Sequence, residues 1–353
     1  MPTTPRHILL TGGAGFIGSN FVRFALDNHP DLHITNLDCL TYSGNLENLA
    51  GLENHPRYSF VKGDIRNAAD VAPLVEKADA VVHMAAESHV DRSILDSRPF
   101  IDTNVLGTQT LLDACRKARG GKWGREEKGE RFVYVSTDEV YGSLPLENPE
   151  IKFTEDTPLA ANSPYAASKA GGDLLARAYN HTFGMNIVTT RCSNNFGPYQ
   201  FPEKVIPLFV TNLLDGKQVP LYGDGKNVRD WLHVDDHCEA ILAVMHKGRA
   251  GEVYNIGGNN ERNNLELTHS ILKIMGKGEE SIRYVADRPG HDRRYAIDAT
   301  KIAREIGWKP TRSAWPAALE TTCRWYADNR QWWERVRSGA YQDYYAKQYG
   351  ATV

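Results

Sequence analysis

The sequence predicts an α/β protein whose main domain is a doubly wound parallel sheet, accompanied by a smaller, loop-rich α/β lobe. In the first half, short β-rich runs alternate with helical patterns, which is typical of parallel βαβ units. From about residue 195 this alternation gives way to segments interrupted by Pro and Gly, such as NNFGPYQFPEKVIP and VPLYGDGKNVRDW. The length of 353 residues exceeds that of one ordinary domain. We therefore expect a first domain at 1–194 and the lobe at 195–353, with some of its segments returning to the first domain.

Six strands and four helices are predicted in the first domain. The strands are RHILLT, HITNLD, YSFVKGDI, DAVVHMAA, RFVYVS and NIVTTR. The helices are FVRFALDN, DVAPLVEK, TNVLGTQTLLDACRKA and a segment through 164–183. Strands of a parallel sheet are covered by helices on both faces, and they are therefore apolar along most of their length, as these runs are.

Composition excludes several classes of protein. Hydrophobic residues make up 41% and charged residues 24%, as in a globular chain, and the net charge of −3 gives no basic field for nucleic acid or a membrane surface. No apolar run approaches the roughly 18–20 residues that span a bilayer. The segment MPTTPRHILLTGG lacks the apolar stretch of a signal peptide, and the five cysteines are scattered. We therefore expect a cytoplasmic location and reduced cysteines.

A basic segment separates the third predicted helix from the next strand. Residues 116–131 hold seven cations, three carboxylates and four glycines. Its position between a helix and a strand favours a solvated surface loop over a polyanion site.

A glycine-rich loop follows the first predicted strand. Gly12, Gly15 and Gly18 permit a tight turn and a close approach of backbone N–H groups to a pyrophosphate at the start of a helix. Asp38 follows 20 residues after Gly18 at a strand end, where a carboxylate binds ribose hydroxyls. The same charge would repel the 2′-phosphate of NADP. The sequence therefore predicts a Rossmann domain at 1–194 that binds NAD.

A tyrosine and a lysine lie one turn apart in the predicted helix at 164–183. Tyr165 and Lys169 share a helix face because they are four residues apart. Tyrosine has a reference pKa near 10, and a nearby ammonium and the positive nicotinamide ring would both stabilise the phenolate. After a dinucleotide-binding half, this pair predicts a catalytic base.

These motifs carry a family resemblance. The glycine loop, Thr137 at a strand end and the Tyr165/Lys169 pair resemble the extended short-chain dehydrogenase/reductase family. Asp138 and Glu139 follow Thr137 directly, and elimination of water across C5–C6 of a sugar requires a base and an acid, whereas oxidation or C4 epimerisation does not. With LDCLTYSGN, HMAAESHVDRSI, YGDGKNVRDWLHVDDH and RPGHDRRYAID, the chain resembles the nucleotide-sugar 4,6-dehydratases over nearly its whole length.

The resemblance implies a reaction and a set of site residues. The expected substrate is dTDP-glucose, the products are dTDP-4-keto-6-deoxyglucose and water, and the catalytic residues are Thr137, Asp138, Glu139, Tyr165 and Lys169. The expected cofactor-binding residues are Gly12, Gly15, Phe16, Ile17, Gly18, Asp38, Asp64, Ile65, Ala85, Tyr165 and Lys169. The expected substrate-binding residues are Ser88, Asn194, Asn195, Lys204, Tyr222, Arg229, Asn264, Arg288 and His291. The resemblance also implies a homodimer formed by the helices at about 98–119 and 163–183.

The two carboxylates impose a geometrical condition. On a regular strand Thr137 and Glu139 would face one side and Asp138 the other. If both carboxylates act on one sugar, the strand must end at about residue 137 and the chain must turn. The alternative is that one carboxylate only caps a helix.

Two other functions share the same fold, and one metal motif is present. A UDP-sugar 4-epimerase uses NAD and a Tyr/Lys pair, but has no need for Asp138 and Glu139. A non-catalytic NAD-sensing protein would need none of the proton-transfer residues. His233 and His237 have a zinc-like spacing, but the glutamate that a zincin carries after its first histidine is absent, so we predict no metal.

Overall fold

The computed structural model describes residues 5–124 and 129–338. The strands are β1 His7–Thr11, β2 His33–Asp38, β3 Tyr58–Lys62, β4 Ala80–His83, β5 Arg131–Thr137, β6 Ile187–Cys192, β7 Asn194–Phe196, β8 Val219–Tyr222, β9 Val228–His233, β10 Val253–Ile256, β11 Glu261–Asn263 and β12 Ile282–Val285. The α-helices are α1 Phe16–Asn28, α2 Ala68–Val75, α3 Val90–Leu95, α4 Arg98–Phe100, α5 Thr108–Gly121, α6 Pro164–Phe183, α7 Val205–Leu214, α8 Val234–Lys247, α9 Asn264–Ile274, α10 Thr300–Ile306, α11 Ala317–Asp328 and α12 Arg330–Val336. A π-helical segment, Ile101–Gly107, precedes α5.

The central sheet has seven parallel strands in the order β10-β6-β5-β4-β1-β2-β3. The predicted doubly wound fold is therefore confirmed, and all six strands predicted from the sequence are present. The chain leaves β1 in one direction towards β2 and β3 and in the other towards β4, β5 and β6. Ligands of such sheets bind at the carboxyl ends of the strands where the order reverses, which here lies between β1 and β4.

Both faces of the sheet are buried because side chains alternate along each strand. Ile8 and Leu10 pack into the layer that contains α1 and α8, whereas Leu9 packs into the opposite layer with residues of α2 and α5. All three are fully buried. Burial of this kind contributes about 1.5–3 kcal/mol for each large aliphatic side chain.

The smaller lobe has its own core and two small sheets. Strands β11, β9 and β7 form one sheet, and β12 pairs with β8 in the other. Phe209, Trp231, Leu319 and Trp333 belong to a separate buried cluster. Strand β10 and helix α8 come from the second half of the chain, yet they pack with the central sheet.

The basic segment at 116–131 differs from the prediction. Helix α5 is interrupted by non-helical backbone at Ala118, Arg119 and Gly120 before it ends at Gly121. Trp123 is only 1% exposed, and its indole N–H donates to the Ala78 carbonyl oxygen at 3.0 Å. Arg119 pairs with the buried Glu130. Part of the segment is therefore anchored in the core, because the Trp123 indole and the Glu130 carboxylate are buried there. The glycines had suggested contact with solvent instead. Residues 125–128 lie outside the described residues.

Candidate active site

The glycine loop has the geometry that its spacing predicts. Gly12 has φ +79°, which L-residues with a side chain rarely adopt. A Cβ atom at Gly18 would lie 2.2 Å from the Gly12 carbonyl oxygen, so the start of α1 packs against the loop only because glycine stands there. The loop thus presents bare backbone at the carboxyl end of β1, a cradle that suits a pyrophosphate.

Asp38 anchors this loop at the end of β2. Its two carboxylate oxygens accept hydrogen bonds from the backbone N–H groups of Ala14, at 2.9 Å, and Leu40, at 2.8 Å. Burial raises the pKa of Asp38, and these two hydrogen bonds lower it. Asn36, which the sequence analysis did not single out, holds the adjacent Gly13 N–H at 2.9 Å. Two side chains of one strand therefore fix the loop.

A cavity of about 490 Å³ extends from the glycine loop along the carboxyl edge of the sheet. It brings together most of the residues that the sequence singled out. Those that line it are Gly12, Gly15, Phe16, Ile17, Gly18, Asp38, Asp64, Ile65, Ala85, Ser88, Thr137, Asp138, Glu139, Tyr165, Lys169, Asn194, Asn195 and Lys204. The bare glycine backbone at one end and a carboxylate at the ribose position fit NAD.

The turn that the two carboxylates require is present. Strand β5 ends at Thr137, and a 3₁₀ turn, Asp138–Tyr141, follows at once. The Thr137 hydroxyl accepts a hydrogen bond from the Glu139 N–H at 3.3 Å and caps this turn. The strand alternation therefore stops after Thr137, and all three side chains line the same cavity.

Asp138 and Glu139 differ in their electrostatic environments. Burial, and then the charge of Glu139, raises the pKa of Asp138 well above its usual range. Its Oδ2 atom is buried and has no hydrogen-bond partner among the described residues. Burial also raises the pKa of Glu139, but Arg288, Lys204 and Arg229 lower it. Asp138 is thus suited to donate a proton, and Glu139 is suited to accept one.

Tyr165 and Lys169 lie on α6, whose predicted extent is confirmed. The Ser163 hydroxyl caps the helix by accepting from the Ala166 N–H at 3.1 Å, and Pro164 occupies the first turn. The Lys169 ammonium donates to the Val135 carbonyl oxygen at 2.7 Å, and burial lowers its pKa to about 8. Lys169 therefore places the Tyr/Lys pair beside the carboxyl end of β5.

Burial dominates the electrostatics of Tyr165 in this structure. Burial, followed by the charge of Glu139, raises the pKa of the Tyr165 phenol well above 10, although a hydrogen bond with Thr137 lowers it. The cavity removes the phenolate from water, and the Lys169 ammonium is occupied by the carbonyl oxygen of Val135. Tyr165 is therefore a neutral phenol here.

A buried ion pair fixes α6 behind the site. Asp173 on α6 accepts two hydrogen bonds from Arg191 on β6, both at 2.8 Å. Arg191 also donates to the Tyr141 hydroxyl at 2.9 Å, and Tyr141 donates to Asn255 at 2.8 Å. The helix with the Tyr/Lys pair and the turn with the two carboxylates therefore share one anchor.

Five expected substrate residues do not line the cavity: Tyr222, Arg229, Asn264, Arg288 and His291. Four of them lie together beside it. Arg288 forms an ion pair with Asp91 at 3.0 Å. The ring centroids of Tyr222 and His291 are 6.0 Å apart. Burial, and then the charges of Arg288 and Arg229, lower the pKa of His291. Asn264 is the first residue of α9, next to the loop after β8.

Glu203 is a cavity residue that the sequence analysis missed. It is 7% exposed, accepts from the Tyr42 hydroxyl at 3.2 Å and lies 3.4 Å from the Arg92 guanidinium. Burial raises its pKa, and Lys204 lowers it. Its position next to Lys204 in PEKVIP was the available signal. A charged residue in a Pro-rich segment is usually exposed, so the sequence did not indicate that the side chain is buried.

His233 and His237 serve structural purposes. His233 caps α8 by accepting from the Asp235 N–H. His237 Nδ1 lies 2.9 Å from the Asn195 side-chain oxygen. Within residues 5–124 and 129–338, no group of three or more His, Cys, Asp or Glu side chains is placed to hold a metal ion. In the same ranges, no helix has the length and apolar character to cross a bilayer.

The fold and the site together define an enzyme of the short-chain dehydrogenase/reductase type, with two additional carboxylates beside its Tyr/Lys pair. The family model for GDP-mannose 4,6 dehydratase matches residues 9–316. The dTDP-glucose 4,6-dehydratase of Streptomyces niveus is 53% identical over 94% of this chain and 96% of its own length. That of Salmonella typhimurium is 48% identical over 97% and 98%. The chain therefore belongs to the nucleotide-sugar 4,6-dehydratase family, and in it to the dTDP-glucose 4,6-dehydratases.

Solved structures agree with this assignment and confirm the resemblance. A dTDP-glucose 4,6-dehydratase from Streptomyces venezuelae, solved with NAD and dTDP bound, is 54% identical, has a TM-score of 0.88 and covers 94% of this chain and 99% of its own. The UDP-glucose 4-epimerase of Thermotoga maritima, solved with UDP-glucose, is 27% identical with a TM-score of 0.80, and it covers 92% of this chain and 99% of its own.

Replacing Asp38 with Ala should reduce the preference for NAD over NADP by about tenfold or more, because a hydrogen bond to a charged group contributes about 1.5–3 kcal/mol and the repulsion of the 2′-phosphate disappears. Calorimetric titration of the cofactor-free protein with both dinucleotides measures this ratio. Asn36→Ala is the control, because it removes a hydrogen bond from the same loop without removing a charge. It should weaken both cofactors equally. An unchanged ratio in Asp38→Ala would contradict the ribose assignment.

Proposed function

We propose that this protein is an NAD-dependent dTDP-glucose 4,6-dehydratase that forms dTDP-4-keto-6-deoxyglucose and water. The observation that carries the proposal is a pair of adjacent carboxylates in different surroundings, because three cations lower the pKa of one of them and a neighbouring carboxylate raises that of the other. Asp138 is buried with an unpartnered oxygen, and Glu139 faces the charges of three cations. Both line the cavity that contains Tyr165 and the glycine loop. Relatives solved with NAD support the cofactor.

The cofactor lies in the groove between the glycine loop and Tyr165. Gly12, Gly15, Gly18 and the residues after them hold the pyrophosphate, and Asp38 accepts from the ribose hydroxyls. Asp64 and Ile65 lie at the adenine end. When bound, NAD supplies a reversible acceptor for the hydrogen of sugar C4, which is returned at C6.

The protein residues move the protons. Tyr165, positioned by Lys169 and Thr137, takes the proton of the C4 hydroxyl as a phenolate. Burial alone favours the neutral phenol, so this phenolate requires the positive charges of the Lys169 ammonium and of the nicotinamide ring of bound NAD. The resulting ketone acidifies C5, and Glu139 removes the C5 proton. Asp138 protonates the C6 hydroxyl, which leaves as water. When the hydrogen returns at C6, Glu139 gives its proton back to C5, and the proton that Tyr165 took balances the one that Asp138 lost. Burial and the charge of Glu139 raise the pKa of Asp138 well above its usual range, which favours the protonated carboxyl that a general acid requires.

The substrate is held by residues of both parts of the chain, most of them from the small lobe. Ser88, Asn194, Asn195 and Lys204 line the cavity on the sugar and nucleotide side. Arg229, Arg288 and His291, with Tyr222 and Asn264, lie beside it and provide cationic and polar groups for the diphosphate and the base. This placement supports the division of the chain into 1–194 for NAD and 195–353 mainly for the nucleotide sugar.

A UDP-sugar 4-epimerase is the alternative within the same fold. The solved epimerases share the architecture at 27–29% identity. Epimerisation returns the hydrogen to C4 and needs neither Asp138 nor Glu139, so it does not explain a buried unpartnered acid beside the Tyr/Lys pair. A non-catalytic NAD sensor would explain none of these groups.

Glu139→Gln and Asp138→Asn should oxidise C4 normally and eliminate water slowly. Neither residue acts in the first step, so reduced cofactor should accumulate on the protein when dTDP-glucose is added. Loss of a general acid or base costs about 10²–10⁴-fold in rate. Absorbance at the NADH band and release of the 4-keto product, followed in the same sample, measure the two steps separately.

Tyr165→Phe is the matched control for that experiment. It removes the group that takes the C4 proton, so neither the absorbance nor the product should develop. Accumulation of reduced cofactor in Tyr165→Phe would transfer the first step to another residue. Normal release of the 4-keto product by both carboxylate variants would contradict the roles of Glu139 and Asp138. A sugar with inverted configuration at C4, formed without loss of water, would favour the epimerase alternative.

A homodimer is the proposed assembly. Large apolar side chains are exposed on the helices that the resemblance assigns to the interface, with Ile101 at 41%, Leu106 at 47% and Leu174 at 55%. A surface of this kind marks a protein interface. We also propose a cytoplasmic location, because all five cysteines, each within the described residues, are free and four of them are buried, which suits a reducing compartment.

Leu174→Glu should convert the dimer to a monomer, because it places a charge in the apolar interface. Sedimentation equilibrium should then show one chain mass instead of two. Ile151→Glu is the control, since Ile151 is 48% exposed but lies away from these helices in the chain. A wild-type protein that sediments as a monomer would contradict the proposed assembly.

A further inference from the structure

The last helix of the described chain reaches back to the cofactor groove. Trp332 and Val336 on α12 line the same cavity as Gly12 and Asp38, although about 300 residues separate them in sequence. Trp332 is 7% exposed. Neither the Tyr/Lys chemistry nor the two carboxylates give this side chain a purpose.

A short chain of hydrogen bonds joins Trp332 to the glycine loop. The indole N–H of Trp332 donates to the Asn48 side-chain oxygen at 2.9 Å. The Asn48 side-chain NH₂ donates in turn to the Ala14 carbonyl oxygen at 2.9 Å, which also accepts from the Asn45 N–H at 3.0 Å. An indole can only donate, so it sets the amide of Asn48 with its oxygen towards Trp332 and its NH₂ towards the loop.

Ala14 lies between Gly13 and Gly15 in the loop. Its N–H is bound to Asp38, and its carbonyl oxygen is bound to Asn48 and Asn45. The backbone N–H and the backbone carbonyl oxygen of Ala14 are therefore both held. The carboxylate of Asp38 binds the first, and the Asn48 amide that Trp332 orients binds the second. A change at Trp332 reaches the pyrophosphate cradle through only two hydrogen bonds.

The indole ring also contacts the small lobe. The centroid of its ring lies 5.6 Å from that of Tyr199 and 5.2 Å from that of Trp325. Tyr199 lines the cavity, and the guanidinium of Arg23 on α1 lies 5.4 Å from its ring. Trp332 thus connects the loop that holds the cofactor to the lobe that holds the substrate.

We propose that Trp332 is a positioning residue that keeps the glycine loop in its NAD-binding geometry and slows the release of NAD. This inference rests on the proposed binding of NAD in this groove. The reaction restores NAD in each cycle, so the enzyme has no need to exchange it. A C-terminal clasp, defined as Trp332 with Asn48, holds the loop against opening.

The test compares two neighbouring tryptophans of α12. Trp332→Phe keeps an aromatic ring and removes the N–H that Asn48 accepts. Trp333→Phe is the matched control: Trp333 is 1% exposed and its N–H donates to the Tyr326 carbonyl oxygen, but it does not line the groove. Each holoenzyme is loaded with radiolabelled NAD and chased with excess unlabelled NAD, and the bound label is followed with time.

Trp332→Phe should release NAD about 3- to 10-fold faster than wild type, the effect expected for one neutral hydrogen bond. Trp333→Phe should release it at the wild-type rate. Asn48→Ala tests the clasp from its other end, and it remains informative if Trp332→Phe does not fold. The double variant should be no faster than Asn48→Ala alone, because the two residues act through one connection.

Three results would overturn the inference. One is equal release rates for Trp332→Phe and wild type, and another is equal acceleration by Trp332→Phe and Trp333→Phe. The third is additive acceleration in the double variant. A wild-type protein that holds no NAD would overturn the proposed function together with the clasp, so the wild-type measurement separates the two failures.

Discussion

The reactive side chains depend on the buried ion pair of Asp173 and Arg191. The carboxylate binds two guanidinium nitrogens at 2.8 Å, and a third nitrogen binds Tyr141 at 2.9 Å. Helix α6, strand β6 and the 3₁₀ turn after β5 therefore meet at one point. Removal of one partner of a buried pair costs about 3–5 kcal/mol, because it leaves an uncompensated charge. This anchor holds the Tyr/Lys pair and the two carboxylates in register with each other.

The chemistry depends on the different environments that this anchored structure gives to two adjacent carboxylates. Neighbouring carboxylates in water would titrate together. Here the turn after Thr137 leaves Asp138 buried without a partner for Oδ2, whereas Glu139 faces Arg288, Lys204 and Arg229. Burial raises the pKa of both groups, well above the usual range for Asp138, but at Glu139 three cations oppose the rise, so Asp138 is the better acid and Glu139 the better base. The same frame holds Tyr165 as a neutral phenol, because burial outweighs its hydrogen bond with Thr137.

Local sequence was sufficient for the features that depend on local rules. The glycine spacing, the alternation of strands and helices and the Tyr165/Lys169 pair predicted the sheet and most of the cavity lining. The strand end at Thr137 was required by the proposed chemistry and is present. Trp123, Glu203 and Trp332 were not foreseen, because their burial depends on contacts with segments distant in sequence: Ala78, Tyr42 and Asn48. No periodicity near these residues indicates such contacts.

The central claim is that the hydrogen removed from C4 of the sugar returns at C6 after water has left through Glu139 and Asp138. The most direct measurement uses dTDP-glucose carrying deuterium at C4 and locates the label in the product by NMR. The account predicts deuterium at C6 of a 4-keto-6-deoxy product. Deuterium found at C4 of a sugar with inverted configuration, with no loss of water, would contradict it.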